Sequence, residues 1–445
     1  MSNCLRQGEK RAKIKSMKAK RPALFFAIAL LLLSAPSLQA QKFEPRFKSD
    51  SRLDAEIFEL PEIDAQKLAR AALVASGADE DQTERHLKAL DSLWAELSPR
   101  LKGAGLEEGA EKILSFMYEK ILRKYNFDQT RVDQAMDTGV YNCVSSAILF
   151  MYFCKRADIP VCAVETPRHA FCVIFTEDGP VDVETTNPYG VNPGKKRGQN
   201  LGGGKTQWIT VPAKDYAGRH QVDDRRAIGM VYNNRIVQLQ KKRLNAQSVG
   251  LAVDAYEVQG KSVLARSDLE LCVGNAASDL ISAAREEEAI GFLKDAEERF
   301  GPCENWSKKI QTAFHNLLLK KANGLPYKEA LAEMDANKGN LLPRDFVELK
   351  EYVYLLNSQK AGQAHEWQKA IAIAQEGLAE FPQSKRLLNF KNVFTQNWAA
   401  DFHNAAANLF NAGKKDEAVA KIKEGLSALP QNKILLSDLE KMQAR

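Results

Sequence analysis

Three side chains in the middle of the chain have the types and the order that acyl transfer through a thiol needs. Cys143 follows Gly139-Val140-Tyr141-Asn142 and opens an apolar run that continues to Phe153 and Cys154. This pattern predicts a turn and then a buried helix, with the cysteine in its first turn. Unpaired backbone N–H groups there favour a thiolate. His169 follows Pro167-Arg168 and opens a strand running from Ala170 to Phe175. After Asp178-Gly179 a second strand carries Val181, Asp182, Val183 and Glu184. In this order a cysteine attacks an amide carbonyl, and the imidazole takes the thiol proton and returns it to the leaving amine. The acid holds the imidazole tautomer.

The acid has three candidates, Asp182, Glu184 and Asn187. With the hairpin turning near Asp178-Gly179, Asp182 is expected to pair close to Phe175, far from His169. Two residues further on, at about 3.3 Å per residue, Glu184 lies roughly 7 Å closer. Asn187 belongs to the turn-forming run Asn187-Pro188-Tyr189-Gly190. Glu184 therefore ranks first and Asp182 second. The backbone N–H of Cys143 is one expected donor to an oxyanion. Tyr141 and Gln134 both lie upstream, and the sequence does not choose a second donor between them.

Tyr141-Asn142-Cys143, His169-Ala170-Phe171 and Val183-Glu184-Thr185-Thr186-Asn187-Pro188 together resemble the transglutaminase-like superfamily of papain-type folds. More narrowly, the chain looks like the bacterial branch in which that domain is followed by tetratricopeptide (TPR) helices. Where the common pattern has Asp-Pro-Thr, this chain has Glu184-Thr185-Thr186. The resemblance spans roughly Leu53 to Gly260. It implies an α+β, papain-like domain with catalytic Cys143, His169 and Glu184, followed by an all-α TPR-like solenoid.

The net charge of +6 is concentrated at the start, because residues 1–40 hold eight Lys or Arg and a single acid. The remainder is close to neutral and offers no electrostatic case for nucleic acid or an anionic membrane. The basic stretch precedes an apolar run from Ala23 to Leu33, then Pro36 and Ser37-Leu38-Gln39-Ala40. That is the layout of a secretory signal peptide cut after Ala40. The run is too short to span a bilayer easily, so no stable membrane insertion is expected after cleavage. The expected location is secreted or periplasmic.

Cys143, Cys154, Cys162, Cys172, Cys272 and Cys303 remain after the leader. Their spacing suggests neither a disulfide framework nor a zinc site. Cys154, Cys162 and Cys172 sit in apolar runs, as small buried hydrophobes do. No cofactor or metal is implied. Gly202-Gly203-Gly204-Lys205-Thr206 is not a phosphate loop, because Gln199 stands where the first glycine belongs. Lys195 to Lys205 reads instead as a basic loop.

These features divide the chain into a leader (1–40), a linker (41–52), an N-terminal helical segment (53–126), an α/β core (127–224) and helical repeats (225–445). The clearest repeat is Phe402, Ala406, Leu409, Ala418, Ile422, Gly425 and Pro430. Tyr354, Ser358, Ala370, Gly377 and Pro382 fit a second copy. Val273, Ala277, Leu280, Ala289, Leu293 and Ala296 fit a third. The prolines lie further apart than one TPR period, which calls for an irregular array or longer helices. Such arrays bind proteins or peptides. The expected function is thiol acyl transfer on a protein or peptide amide (hydrolysis, deamidation or transamidation), with a protein partner on the helices. The alternative is a non-catalytic scaffold.

Overall fold

The computed structural model describes Phe47 and residues 63–193, 199–200, 206–207 and 218–444. The leader, the linker apart from Phe47, the start of the first helical segment and most of the Lys195–Lys205 loop lie outside the described residues. The protein is mostly helical with small sheets. Helices α1 (Ala65–Ala75), α2 (Glu80–Leu97) and α3 (Leu106–Lys120) come first. Strand β1 (Lys124–Tyr125), helix α4 (Val132–Thr138) and strand β2 (Val140–Tyr141) lead into α5 (Cys143–Arg156). Then follow β3 (Val161–Glu165), β4 (Ala170–Thr176), β5 (Gly179–Val183), β6 (Gln199–Asn200), β7 (Thr206–Gln207) and β8 (His220–Val222). Beyond them are α6 (Asp224–Lys241), α7 (Asn245–Val258), α8 (Val263–Ser282), α9 (Glu286–Phe300) and α10 (Glu304–Gly324). The chain ends with α11 (Tyr327–Ala336), α12 (Pro343–Gln363), α13 (Trp367–Glu380), α14 (Lys385–Asn411), α15 (Lys415–Ala428) and α16 (Lys433–Gln443). Contacts divide the protein into two compact units that part between Ile310 and Gln311, inside α10. Among the described residues no helix is long and apolar enough to cross a membrane.

In the unit ending at Ile310, α5 is the central element. Every residue from Cys143 to Cys154 is buried, which is what a helix apolar on all faces requires. It packs on β3 and β4 and touches α1, α3, α4 and α6. The main sheet runs β5-β4-β3-β8, antiparallel throughout. Val164, Phe171 and Val173 form an apolar cluster within it.

Two details differ from the sequence reading. Asp182 pairs with Val173, and it is Pro180 that faces Phe175. The tight turn closes on Thr176 and Gly179, whose Cα atoms are paired, so the ladder starts earlier than a turn at Asp178-Gly179 allows. Strand β8, absent from that reading, covers the free edge of β3. Its three residues are too few to show an alternating pattern. Helix α6 packs on α1 and α5, and Lys155 Nζ reaches Asp224 Oδ2 at 2.7 Å. The first helix of the helical half is thus built into the unit that carries the sheet.

The unit from Gln311 onward is made of successive helices joined by short turns. Gly377 of α13 lies against Tyr354 of α12 and Leu387 of α14. Gly425 of α15 lies in the same way against Phe402 of α14 and Leu435 of α16. Gly377 and Leu387 recur 48 positions later, where Phe402 stands in place of Tyr354, a longer step than the 34 residues of a TPR unit. A Cβ on either glycine would come within 2.8 Å of its neighbours, so only glycine lets the helices approach this closely. Phe402, Ala406, Ala418, Ile422 and Leu435 are part of one buried cluster.

Candidate active site

The segment before Cys143 is shaped by one glycine. Gly139 caps α4 in the left-handed region at φ 73°, a conformation that glycine adopts without strain. Its carbonyl accepts the N–H groups of Arg123 and Lys124 at 2.8 and 3.0 Å. This lays β1 parallel to β2, with Tyr125 paired to Tyr141. Asn142 then caps α5. Its Oδ1 accepts the Ser145 N–H at 2.9 Å, and Ser145 Oγ accepts the Asn142 N–H at 2.9 Å. This capping box satisfies the third residue of the helix. It does not use the N–H groups of Cys143 and Val144, which sit at the start of the helix where no turn precedes them.

Thr166 fixes His169. The Thr166 hydroxyl accepts the His169 N–H and donates to the His169 carbonyl, both at 2.9 Å. This clamp closes the turn between β3 and β4. Imidazole Nε2 lies 2.7 Å from Glu184 Oε2, and Cys143 is near enough to the ring to help raise its pKa. With Nε2 taken by the glutamate, Nδ1 is the nitrogen left for sulfur. Burial by itself would lower the His169 pKa. The hydrogen bonds to Cys143 and Glu184, and their charges, outweigh burial and raise it to about 10.

Glu184 lies one residue beyond the end of β5, in a buried turn. Its second oxygen, Oε1, accepts the Thr186 N–H at 3.0 Å and the Thr186 hydroxyl at 2.5 Å. Thr185 ties the same turn to the helix, with its Oγ1 2.9 Å from Ser146 Oγ. The Tyr118 hydroxyl donates to the Thr185 carbonyl at 3.1 Å. Gly190 closes the turn, and a Cβ there would collide with the Glu184 carbonyl.

Asp182 is occupied elsewhere. Arg219 holds it through bonds of 2.7 and 2.8 Å to its two oxygens. Asn187 supplies the turn, its Oδ1 accepting the Tyr189 N–H at 3.0 Å. Tyr141 points its hydroxyl at that of Tyr118, 2.8 Å away, and Gln134 is exposed on α4. Neither of these upstream candidates reaches the sulfur. Tyr125 is near enough to Cys143 for the thiol's charge to act on its hydroxyl. Burial, then the charges of Cys143 and Glu184, push its pKa up to about 12, so it remains a donor at neutral pH. Nothing in the sequence singled it out, since it sits on a separate two-residue strand.

A cleft of about 220 Å³ opens beside the thiol. One wall is the start of α5, another the Glu165–Ala170 turn, and the third is the face of α6 carrying Met230, Asn233 and Val237. Arg226 pins α6 there. Its guanidinium meets both oxygens of Glu165 at 2.8 Å and Asp268 at 3.2 Å. The other cysteines have different surroundings. Burial pushes Cys154, Cys162, Cys172 and Cys303 up, and Cys272 up to about 12. Among the described residues no group of three or more His, Cys, Asp or Glu side chains is arranged to hold a metal.

No family model matches the chain, and no curated protein matches it. Among solved structures it is similar to menin, from a crystal structure described as revealing the binding site for Mixed Lineage Leukemia (MLL) protein. That likeness covers 86% of this chain and 91% of menin, with 14% identity and a TM-score of 0.32. A likeness this loose carries no argument about fold or partner. The expected membership of the transglutaminase-like superfamily, in its branch with TPR helices, is therefore corrected. No family model supports it. The physical reason is that the resemblance rested on three short motifs. Motifs of that length specify local turns and a side-chain cluster, and these can be set in different frameworks.

Proposed function

We propose that the protein is a thiol acyl-transfer enzyme acting on an amide. The observation that carries this reading is the contact chain Cys143–His169–Glu184, with a 2.7 Å bond between the last two. The Cys143 sulfur attacks the amide carbonyl and an S–C bond forms. The oxyanion is held by the N–H groups at the start of α5 and by the Tyr125 hydroxyl. His169 donates its proton to the nitrogen as the C–N bond breaks, and the amine leaves. Water or an amine then attacks the thioester, giving its proton to His169 as the S–C bond breaks. Hydrolysis, deamidation and transamidation share these steps and differ in the second nucleophile. The basic and apolar leader of residues 1–40 supports export.

The second reading is a non-catalytic scaffold. The recurrence of the Gly377 contacts at Gly425 favours it, because stacked repeats present extended binding surfaces. One experiment separates the two. Intact protein is treated with iodoacetamide at about pH 6 and the adducts are mapped by mass spectrometry, and p-nitrophenyl acetate is used to look for a burst of nitrophenolate. The enzyme reading expects alkylation at Cys143 ahead of the other cysteines, and a burst that Cys143→Ala abolishes. Slow, even alkylation with no burst supports the scaffold.

A further inference from the structure

The cleft beside Cys143 carries one charge that the protein itself does not balance. Among the described residues its lining holds one carboxylate and one guanidinium, those of Glu165 and Arg168. Glu165 is already matched. Its two oxygens each lie 2.8 Å from the Arg226 guanidinium, and His220 Nε2 stands 3.3 Å from one of them. Asp128, next to the cleft residue Phe127, is taken by Lys241 at 2.7 Å. Arg168 is exposed, and among the described residues its guanidinium meets no carboxylate. Its backbone is held in place, because it lies between Thr166 and His169 in the turn that the Thr166 hydroxyl clamps. Phe127 and Val237 line the same cleft and are 58% and 44% exposed. Apolar side chains left open in a concave site offer surface for a ligand to cover.

We propose that Arg168 binds a carboxylate of the substrate, on the side of the amide that leaves. Resting on the acyl-transfer reading, this makes the substrate an acidic peptide with an apolar residue against Phe127 and Val237. The side follows from the turn. His169 hands its proton to the leaving nitrogen, and Arg168 is the residue next to it. A guanidinium offers two parallel N–H donors, and the two oxygens of a carboxylate accept both. Its single positive charge balances the single negative charge of that group. A neutral carboxamide has one oxygen to offer, and an ammonium is repelled. Arg168 thus selects the substrate, while the reacting atoms meet Cys143 and His169.

The test uses the full-length protein and bromoacetyl peptides, which alkylate Cys143 without turnover. Bromoacetyl-Leu-Glu-amide and bromoacetyl-Leu-Gln-amide share a shape and differ by one charge. Bromoacetyl-leucine, with its free carboxylate, and bromoacetyl-leucinamide form a second pair. Alkylation rates at Cys143 are followed by mass spectrometry. Within a pair the carboxylate should speed alkylation about fivefold, the upper end for an exposed ion pair. A gain in the first pair assigns a side-chain carboxylate, and a gain in the second assigns the chain end. In about 1 M NaCl, where screening acts within about 3 Å, the ratio should fall towards one. Arg168→Gln should abolish the gain, and Arg168→Lys should keep part of it. Each ratio is internal to one protein, and an unchanged urea midpoint shows that the variant is folded. Equal rates within both pairs overturn the proposal, and so does a gain that survives in Arg168→Gln. If the ratios behave as expected but p-nitrophenyl acetate gives no burst, the carboxylate site stands and the acyl-transfer reading falls. Failure of all four peptides to alkylate Cys143 overturns both.

Discussion

Arg219 grips Asp182 through two near-parallel hydrogen bonds of 2.7 and 2.8 Å, one to each carboxylate oxygen. That grip separates two acids only two residues apart. Asp182 serves the sheet edge, whereas Glu184, free of any arginine contact among the described residues, turns one oxygen to His169. Glu184→Gln should therefore slow acylation on the order of 100-fold by loosening tautomer control. Asp182→Asn should leave the rate within about twofold and cost about 1 kcal/mol or less, as partly exposed ion pairs do. Nitrophenolate bursts and urea melts of both variants check this. A crippled Asp182→Asn beside an active Glu184→Gln would reverse the assignment.

Stability should fall on the alkaline side because of His169. Its folded-state pKa is about 10 against an ordinary value of 6.5, so the folded protein binds this proton more tightly than the unfolded chain. The resulting stability is fully present below about pH 6.5 and is lost as pH rises through 10. Urea midpoints of the unmutated protein should drop more steeply over that window than those of His169→Ala. Cys143→Ala removes one of the two supports and should move the drop to lower pH. Parallel midpoint curves for all three proteins would show that the imidazole has no raised pKa.

Tyr125→Phe removes a hydroxyl and leaves the ring in place. The hydroxyl feels the charge of Cys143, while the residue is 43% exposed, so little of the core depends on it. Acylation is expected to fall about tenfold, the scale of one lost donor to a developing charge. The melting temperature should stay close to that of the unmutated protein. An unchanged burst rate would remove Tyr125 from the oxyanion site.

Gly190→Ala tests the turn that carries Glu184. The added methyl group meets the Glu184 carbonyl, and the turn must open to accommodate it. A loss of roughly 2–4 kcal/mol is expected, with activity falling as Glu184 moves from His169. If Gly190→Ala is as stable and as active as the unmutated protein, the turn does not hold the carboxylate.

What the sequence disclosed was local. Apolar residues on every face of the Cys143 helix, the apolar run Ala170–Phe175 and the alternation after Asp178-Gly179 were enough to anticipate a buried helix and the β4–β5 hairpin. The nearness of His169 and Glu184 followed from counting along that hairpin, although the assumed register was displaced by two residues. Tyr125 and Asn233 were not legible. Each reaches the cleft through a distant contact, one by the Gly139 turn and the other by the Arg226–Asp268 pair, and neither contact leaves a pattern along the chain. Strand β8 was missed because three residues carry no period. Family membership was misjudged because motifs that describe a cluster of side chains say little about the framework around it.

The contacts of Gly377 and Gly425 bear on how this chain can change in length. Helix α14 serves twice, offering Leu387 to the glycine before it and Phe402 to the glycine after it. No seam separates one copy from the next, since the same helix closes one and opens the other. An insertion or deletion of a whole copy would leave every glycine facing an aromatic ring and a leucine. A change of any other size within a helix would bring a side chain where only a hydrogen atom fits. Whole-copy steps are thus the changes in helix length that keep both glycine contacts intact.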